Sequence, residues 1–258
     1  MIRRIPEKLQ LEIDKYFSLD MHGTNVVCPY YINPKSTRGN LRVMAGKGAP
    51  EEIELETRIW AKVKGFDIVN ASAEEIREFM LQMKIGVDCS GFVAQILNNY
   101  MTKMGYGPLR LYLSFDNNSL IARLRRFLRP LENIGANILT SDLNADHIDD
   151  LNEIRPGDLI RAKGNQRNAH HVGIITEVEY DEESQSVRKF TYANSHRFYE
   201  NQNGMRYGEV VLDNPGKELK DQTWTDTLNG RNYFLEDLLV DYEDNGIRRL
   251  KFSSEIGL

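Results

Sequence analysis

The run Ile85-Gly86-Val87-Asp88-Cys89-Ser90-Gly91-Phe92-Val93 places a cysteine where a helix is about to begin. Apolar side chains follow at Phe92, Val93, Ile96, Leu97, Tyr100, Met101 and Met104, the stripe of a helix with one buried face that ends near Met104. Cys89 then sits at or just before the helix N-terminus. There, unpaired backbone N–H groups and the positive end of the helix dipole favour a thiolate and lower the cysteine pKa. The Ser90 hydroxyl can cap the helix, and Gly91 lets another backbone or a substrate pass close by. A lone cysteine is more often a small core residue than a nucleophile, so the reading needs a base elsewhere in the chain.

The candidate base lies in His170-His171-Val172-Gly173-Ile174-Ile175. Two β-rich runs, Val172–Tyr180 and Val187–Asn194, flank the polar turn Asp181–Ser186 and predict a hairpin. On a strand, His170 and His171 point to opposite faces. Pairing across a turn centred near Glu183–Ser184 brings Tyr192–His196 opposite His171, with Tyr192 and Asn194 on one face. Upstream, Arg155-Pro156-Gly157-Asp158 is turn chemistry leading into a strand over Asp158–Ala162. Gly173 leaves room for another chain to approach.

Three blocks in this order, Asp88-Cys89-Ser90-Gly91-Phe92-Val93, Arg155-Pro156-Gly157-Asp158-Leu159 and His171-Val172-Gly173-Ile174, resemble the NlpC-type cysteine peptidases, papain-like bacterial enzymes that cut peptidoglycan stem peptides. The resemblance covers about residues 26–212, with a long insertion inside. It implies an α+β, papain-like fold with N-terminal helices, the nucleophile helix among them, packed on a central antiparallel β-sheet. It implies Cys89 as nucleophile, His171 as base, and a third polar residue on the returning strand of the hairpin. Asn194 fits that third role by type, with His196 and Tyr192 as alternatives. Tyr30, in a Pro-Tyr context, is similar in position to a tyrosine that lines the family's pocket, and Asp88 and Ser90 stand beside the nucleophile. The implied reaction is hydrolysis of an amide bond in a peptide containing D-Glu and a diamino acid, through a thioacyl-enzyme and without a cofactor. The alternatives are a catalytically silent binding domain of the same fold, or an amidase or acyltransferase acting on a non-wall substrate. A metal site built from Cys89, His170, His171 and His196 matches no zinc spacing.

Other segments must position these residues. Residues 1–25 form an N-terminal extension, in which the pattern over 7–18 does not separate strand from helix. The glycine-rich, basic stretch 35–49 reads as a surface loop, and no phosphate-loop motif is present. Pro50 suits a first helical position, with Ile53, Ile59, Trp60 and Val63 on one face and a stop at Gly65. Ser72-x-x-Glu75 reads as a capping box before Ile76, Phe79, Met80 and Met83. A helical insertion spans about 105–150, and its cationic amphipathic segment Leu120–Arg129 offers Arg125 and Arg126 as a clamp for a substrate carboxylate. Gly208–Leu212 reads as a strand. The C-terminal elaboration, about 213–258, supplies Trp224, Tyr233, Phe234, Leu235, Leu238 and Leu239 to a closing element, with Glu236-Asp237 as a solvated face.

The chain of 258 residues is long enough for one catalytic domain with elaborations, and 41% apolar, 28% charged and 9% aromatic residues describe an ordinary globular composition. A net charge of −5 argues against a nucleic-acid partner. Two cysteines, Cys28 and Cys89, make no disulfide framework. No apolar run reaches the roughly 20 residues of a membrane span, and no apolar segment follows Arg3-Arg4 as a signal peptide requires. The expectation is a cytoplasmic protein, with action at the cell wall requiring another export route. The expected partner is a small peptide or peptidoglycan fragment.

Overall fold

A computed structural model describes residues 1–32, 42–116, 119–163, 170–199 and 202–258. Its framework is one sheet in which every described pairing is antiparallel. Strand β1 (Ile2–Arg4) precedes the small hairpin β2 (Leu19–Met21) and β3 (Thr24–Val26). The remaining strands are β4 (Ala145–Ile148), β5 (Leu159–Lys163), β6 (His170–Tyr180), β7 (Val187–His196), β8 (Gly204–Val211), β9 (Thr223–Trp224) and β10 (Gly246–Leu250). They lie in the order β4-β10-β5-β6-β7-β8-β9, and β1 pairs with the far end of β6.

Because successive strand residues face opposite ways, the sheet builds two apolar layers. On one face Leu159, Val172, Ile174, Ala193, Met205 and Leu250 join the core of α4 (Cys89–Lys103), where Phe92, Val93, Ile96 and Leu97 are buried. On the other, Ile160, Ala162, Ile175, Tyr192, Val210 and Ile247 meet Phe234 and Leu238 of α7 (Tyr233–Val240). Burial on both faces explains why Val172–Ile175 reads as an unbroken apolar run instead of an alternating one.

The helices follow their local signals, with several differences from expectation. Residues 7–18 resolve to helix α1 (Glu7–Phe17), which buries Leu9, Ile13 and Tyr16. Helix α2 (Pro50–Lys64) has proline at its first position and a left-handed Gly65 after its last, but its buried side is Ile53, Thr57 and Ala61. Ile59 and Val63 are exposed, so the stripe is rotated from the expected one; Thr57 tolerates burial by donating its hydroxyl to the Ile53 carbonyl at 2.7 Å. Helix α3 (Ala73–Gln82) starts at the Ser72/Glu75 capping box, Ser72 N–H donating to the Glu75 carboxylate at 2.8 Å.

The insertion is only partly helical. It carries α5 (Leu120–Leu128) and α6 (Ala136–Leu139), and then β4, which forms an edge of the sheet against β10. No helix among the described residues is long and apolar enough to cross a membrane.

Candidate active site

Cys89 is the first residue of α4, as its sequence context predicts, but the cap is Asp88 and not Ser90. The Asp88 carboxylate accepts from Gly91 N–H at 2.6 Å and from the Ser90 hydroxyl at 2.9 Å. Gly91 is required for a backbone reason: a Cβ there would lie 2.0 Å from the Gly46 carbonyl oxygen. Close passage of a backbone is thus met by the chain's own Gly46–Gly48, which is buried against the start of α4; Asp88 N–H donates to Gly46 C=O at 2.9 Å. The described part of the 35–49 stretch is therefore no surface loop, while residues 35–41 lie outside the described residues.

Within it Lys47 is buried, its ammonium 3.0 Å from Asp88 Oδ1 and 3.1 Å from the Ile134 carbonyl, and it also donates to Ser90 Oγ. A charged pair out of water persists only when its remaining hydrogen-bond capacity is filled, as it is here. Sequence patterning missed Lys47 because a lysine among glycines has every local mark of a solvated loop.

Tyr30 reaches the same spot. It bridges Val87 in parallel register, Val87 N–H donating to Pro29 C=O at 3.0 Å, so α2 and α3 loop out between two segments that pair directly. The Tyr30 phenol is pushed up first by burial and then by the neighbouring Cys89 and Asp88 charges.

The Cys89 sulfur lies 3.7 Å from the His170 carbonyl oxygen, against the backbone that carries His171. His171 Nε2 stands 3.3 Å from Asn194 Oδ1 across the β6–β7 ladder. Its ring packs edge-on against Phe234 at 4.6 Å and His196 at 4.4 Å between centroids. His196 Nδ1 accepts from Phe198 N–H at 3.2 Å, which leaves Nε2 protonated and directed at Asp237 Oδ2, 3.7 Å away. That distance is too long for a hydrogen bond, and burial drives His196 toward its neutral form, so the contact is no ion pair.

Asp237 is thus not the solvated face its sequence neighbourhood indicates: helix α7 turns it toward His196, while Glu236 takes Arg231 as partner. The opening that Gly173 leaves is filled by the Phe234 ring, 3.2 Å from where a Cβ would be.

Electrostatics differ from the sequence expectation. Burial pushes the Cys89 thiol up to about 12, with the Asp88 charge acting the same way; Lys47 and the Val172 and Ser90 backbone groups oppose this and do not outweigh it. The helix N-terminus therefore fails to give a resting thiolate, because desolvation of the charged form is the larger effect. Burial likewise lowers His171 to about 4, against the Asn194 hydrogen bond. The resting pair is a neutral thiol and a neutral imidazole. Among the described residues, His170 Nδ1, Tyr192 Oη, Asn194 Nδ2 and His196 Nε2 are buried without hydrogen-bond partners. Folded proteins leave few such atoms, and their concentration around one strand end marks a site kept polar for another purpose than packing.

The remaining candidates lie elsewhere. The Arg126 guanidinium stacks over the Phe115 ring at 4.5 Å and lines a pocket with Ser114, Asn133 and Asn137 that shares no residue with the surroundings of Cys89. The Arg125 side chain lies outside the described residues. Cys28 is buried in the core, its thiol pushed up by burial, and forms no disulfide. Fold and site together define a mixed helix–sheet protein with a helix-capping cysteine beside an imidazole–amide pair. No family model, curated protein or solved structure matches the chain.

Proposed function

We propose that this protein is a cysteine hydrolase that cleaves an amide bond in a peptidoglycan-type peptide through Cys89, His171 and Asn194. The observation that carries the reading is the His171 Nε2–Asn194 Oδ1 contact at the point where the Cys89 sulfur meets β6. Asn194 accepting at Nε2 fixes the tautomer with its proton there, so Nδ1 holds the basic lone pair. His171 takes the thiol proton at Nδ1 as sulfur attacks the carbonyl carbon, and the Cys89 backbone N–H, free at the first turn of α4, donates to the developing oxyanion. The imidazolium returns the proton to the leaving amine as the C–N bond breaks. His171 then activates water to hydrolyse the thioester and release the acid. Starting from a neutral pair, proton transfer accompanies attack instead of preceding it.

The resemblance of the Cys89, Arg155–Leu159 and His171 blocks to the NlpC-type peptidases supplies the papain-like comparison and the substrate class. The helix that carries Arg125 and Arg126 takes no part in this scheme.

Stem-type peptides in which D-Glu is joined to a diamino acid provide the test, with the new amine followed by mass spectrometry. Cleavage is expected in the parent, absent in Cys89→Ala and slower by about 10²–10⁴-fold in His171→Ala. Peptide that binds by calorimetry and is never cut would replace the hydrolase with a silent binding domain.

A further inference from the structure

Helix α5 is mounted the wrong way round for a soluble protein. Its apolar residues Leu120, Ile121, Leu124, Phe127 and Leu128 fall within an arc of about 120° at 100° per residue, the width of a face that ordinarily meets a core. Here that face is turned outward: the five are 82%, 65%, 59%, 66% and 67% exposed. The side turned inward is small and polar, with Ala122 and Arg126 lining the pocket of Ser114, Phe115, Asn133 and Asn137. The segment is also cationic within an acidic chain. Arg123, Arg125, Arg126 and Arg129 lie between Ser119 and Leu131 with no acidic residue among them, against a net −5 for the whole protein. Arg110 adds a further guanidinium over the Phe127 ring at 5.6 Å.

We propose that α5 is an interfacial membrane anchor that lays its apolar face into the surface of an anionic lipid bilayer. Leucine, isoleucine and phenylalanine side chains enter the boundary between headgroups and acyl chains, while the arginines beside them meet lipid phosphates. With nine residues the helix lies on the bilayer and does not cross it. The charge pattern selects this occupant over a second copy of the chain, because apposing two such faces sets arginines against arginines. The inference is independent of the hydrolase reading.

The test is co-sedimentation of the full chain with vesicles of pure phosphatidylcholine and of 3:1 phosphatidylcholine:phosphatidylglycerol, a composition chosen as about one quarter anionic lipid. Binding is expected to the anionic vesicles and to weaken as salt is raised. The double variant Leu124→Ser/Phe127→Ser should bind about tenfold more weakly or worse, with unchanged circular dichroism, since both side chains are already exposed. A Leu124→Trp probe should shift its emission to the blue on anionic vesicles, which distinguishes insertion from adhesion by charge alone. Failure of the parent to bind anionic vesicles, or an unshifted Leu124→Trp emission in bound protein, would overturn the anchor. So would concentration-dependent dimerisation in sedimentation velocity that Leu124→Ser/Phe127→Ser abolishes, which would assign the face to a second copy.

Discussion

Asn194 and His196 sit on the same face of β7 beside one imidazole, yet they stand in different relations to it. Asn194 holds an acceptor on His171 Nε2, whereas His196 only packs against the ring and commits its own Nδ1 to the Phe198 backbone. Tyr192 lies two residues back on the same face, in contact with Phe234 and Trp224. Tautomer control therefore belongs to Asn194 alone. Replacing Asn194 with Ala is expected to lower kcat about tenfold or more with little change in KM, while His196→Ala and Tyr192→Phe stay within a few-fold of the parent. Single-turnover rates on a stem-type peptide would show it; equal losses at all three would reduce the triad to a Cys89–His171 dyad.

Helix α4 is where local sequence and long-range packing meet. Its start is held by Asp88 and Lys47, and its first turn is crossed at Gly91 by the Gly46 backbone. Gly91→Ala forces one of two backbones to move and is expected to cost about 2–3 kcal/mol, read as a lower urea midpoint at unchanged slope. Unaltered stability would mean that Gly46–Gly48 is free to lift away from the helix.

The helix itself was legible from the spacing of Phe92, Val93, Ile96 and Leu97, as was α3 from its capping box, because helix periodicity and caps are written within a few residues. The β6–β7 pairing was legible too: the turn at Asp181–Ser186 sets the register that brings Asn194 opposite Gly173 and His196 opposite His171. Lys47 and Asp237 were not. Each lies in a locally polar context, and only contacts with segments distant in sequence, α4 for the one and β7 for the other, remove it from solvent. The rotated face of α2 has the same origin, since exposed Ile59 and Val63 are as apolar as the residues that are buried.

For the molecule as a whole, the segments that read as appendages complete the sheet. Residues from the N-terminal extension add β1 to β6, and the C-terminal stretch inserts β10 between β4 of the insertion and β5. Nothing in the local pattern of Gly246–Leu250 announces that neighbour. Arg249 fixes the arrangement by donating from Nε and Nη2 to the two Asp158 carboxylate oxygens at 2.8 Å each, so the Arg155–Asp158 turn is clamped to the chain's end. The candidate site lies where β6 is reached by α4 from one layer and by α7 from the other. Desolvation from both layers gives Cys89 and His171 their shared neutral state.

That neutral pair makes a specific demand on the pH dependence of Cys89 alkylation by iodoacetamide, measured in a Cys28→Ser background with and without His171→Ala. With the imidazole at about 4 and the thiol at about 12, His171 is a competent base throughout the range between them. The parent rate should therefore be nearly flat from about pH 5 to pH 9 and fall only as His171 protonates below that. Without His171 only pre-formed thiolate reacts, and the rate should start lower and climb about tenfold per pH unit. A parent rate that climbs in the same way, indifferent to His171, would contradict the Cys89–His171 pair.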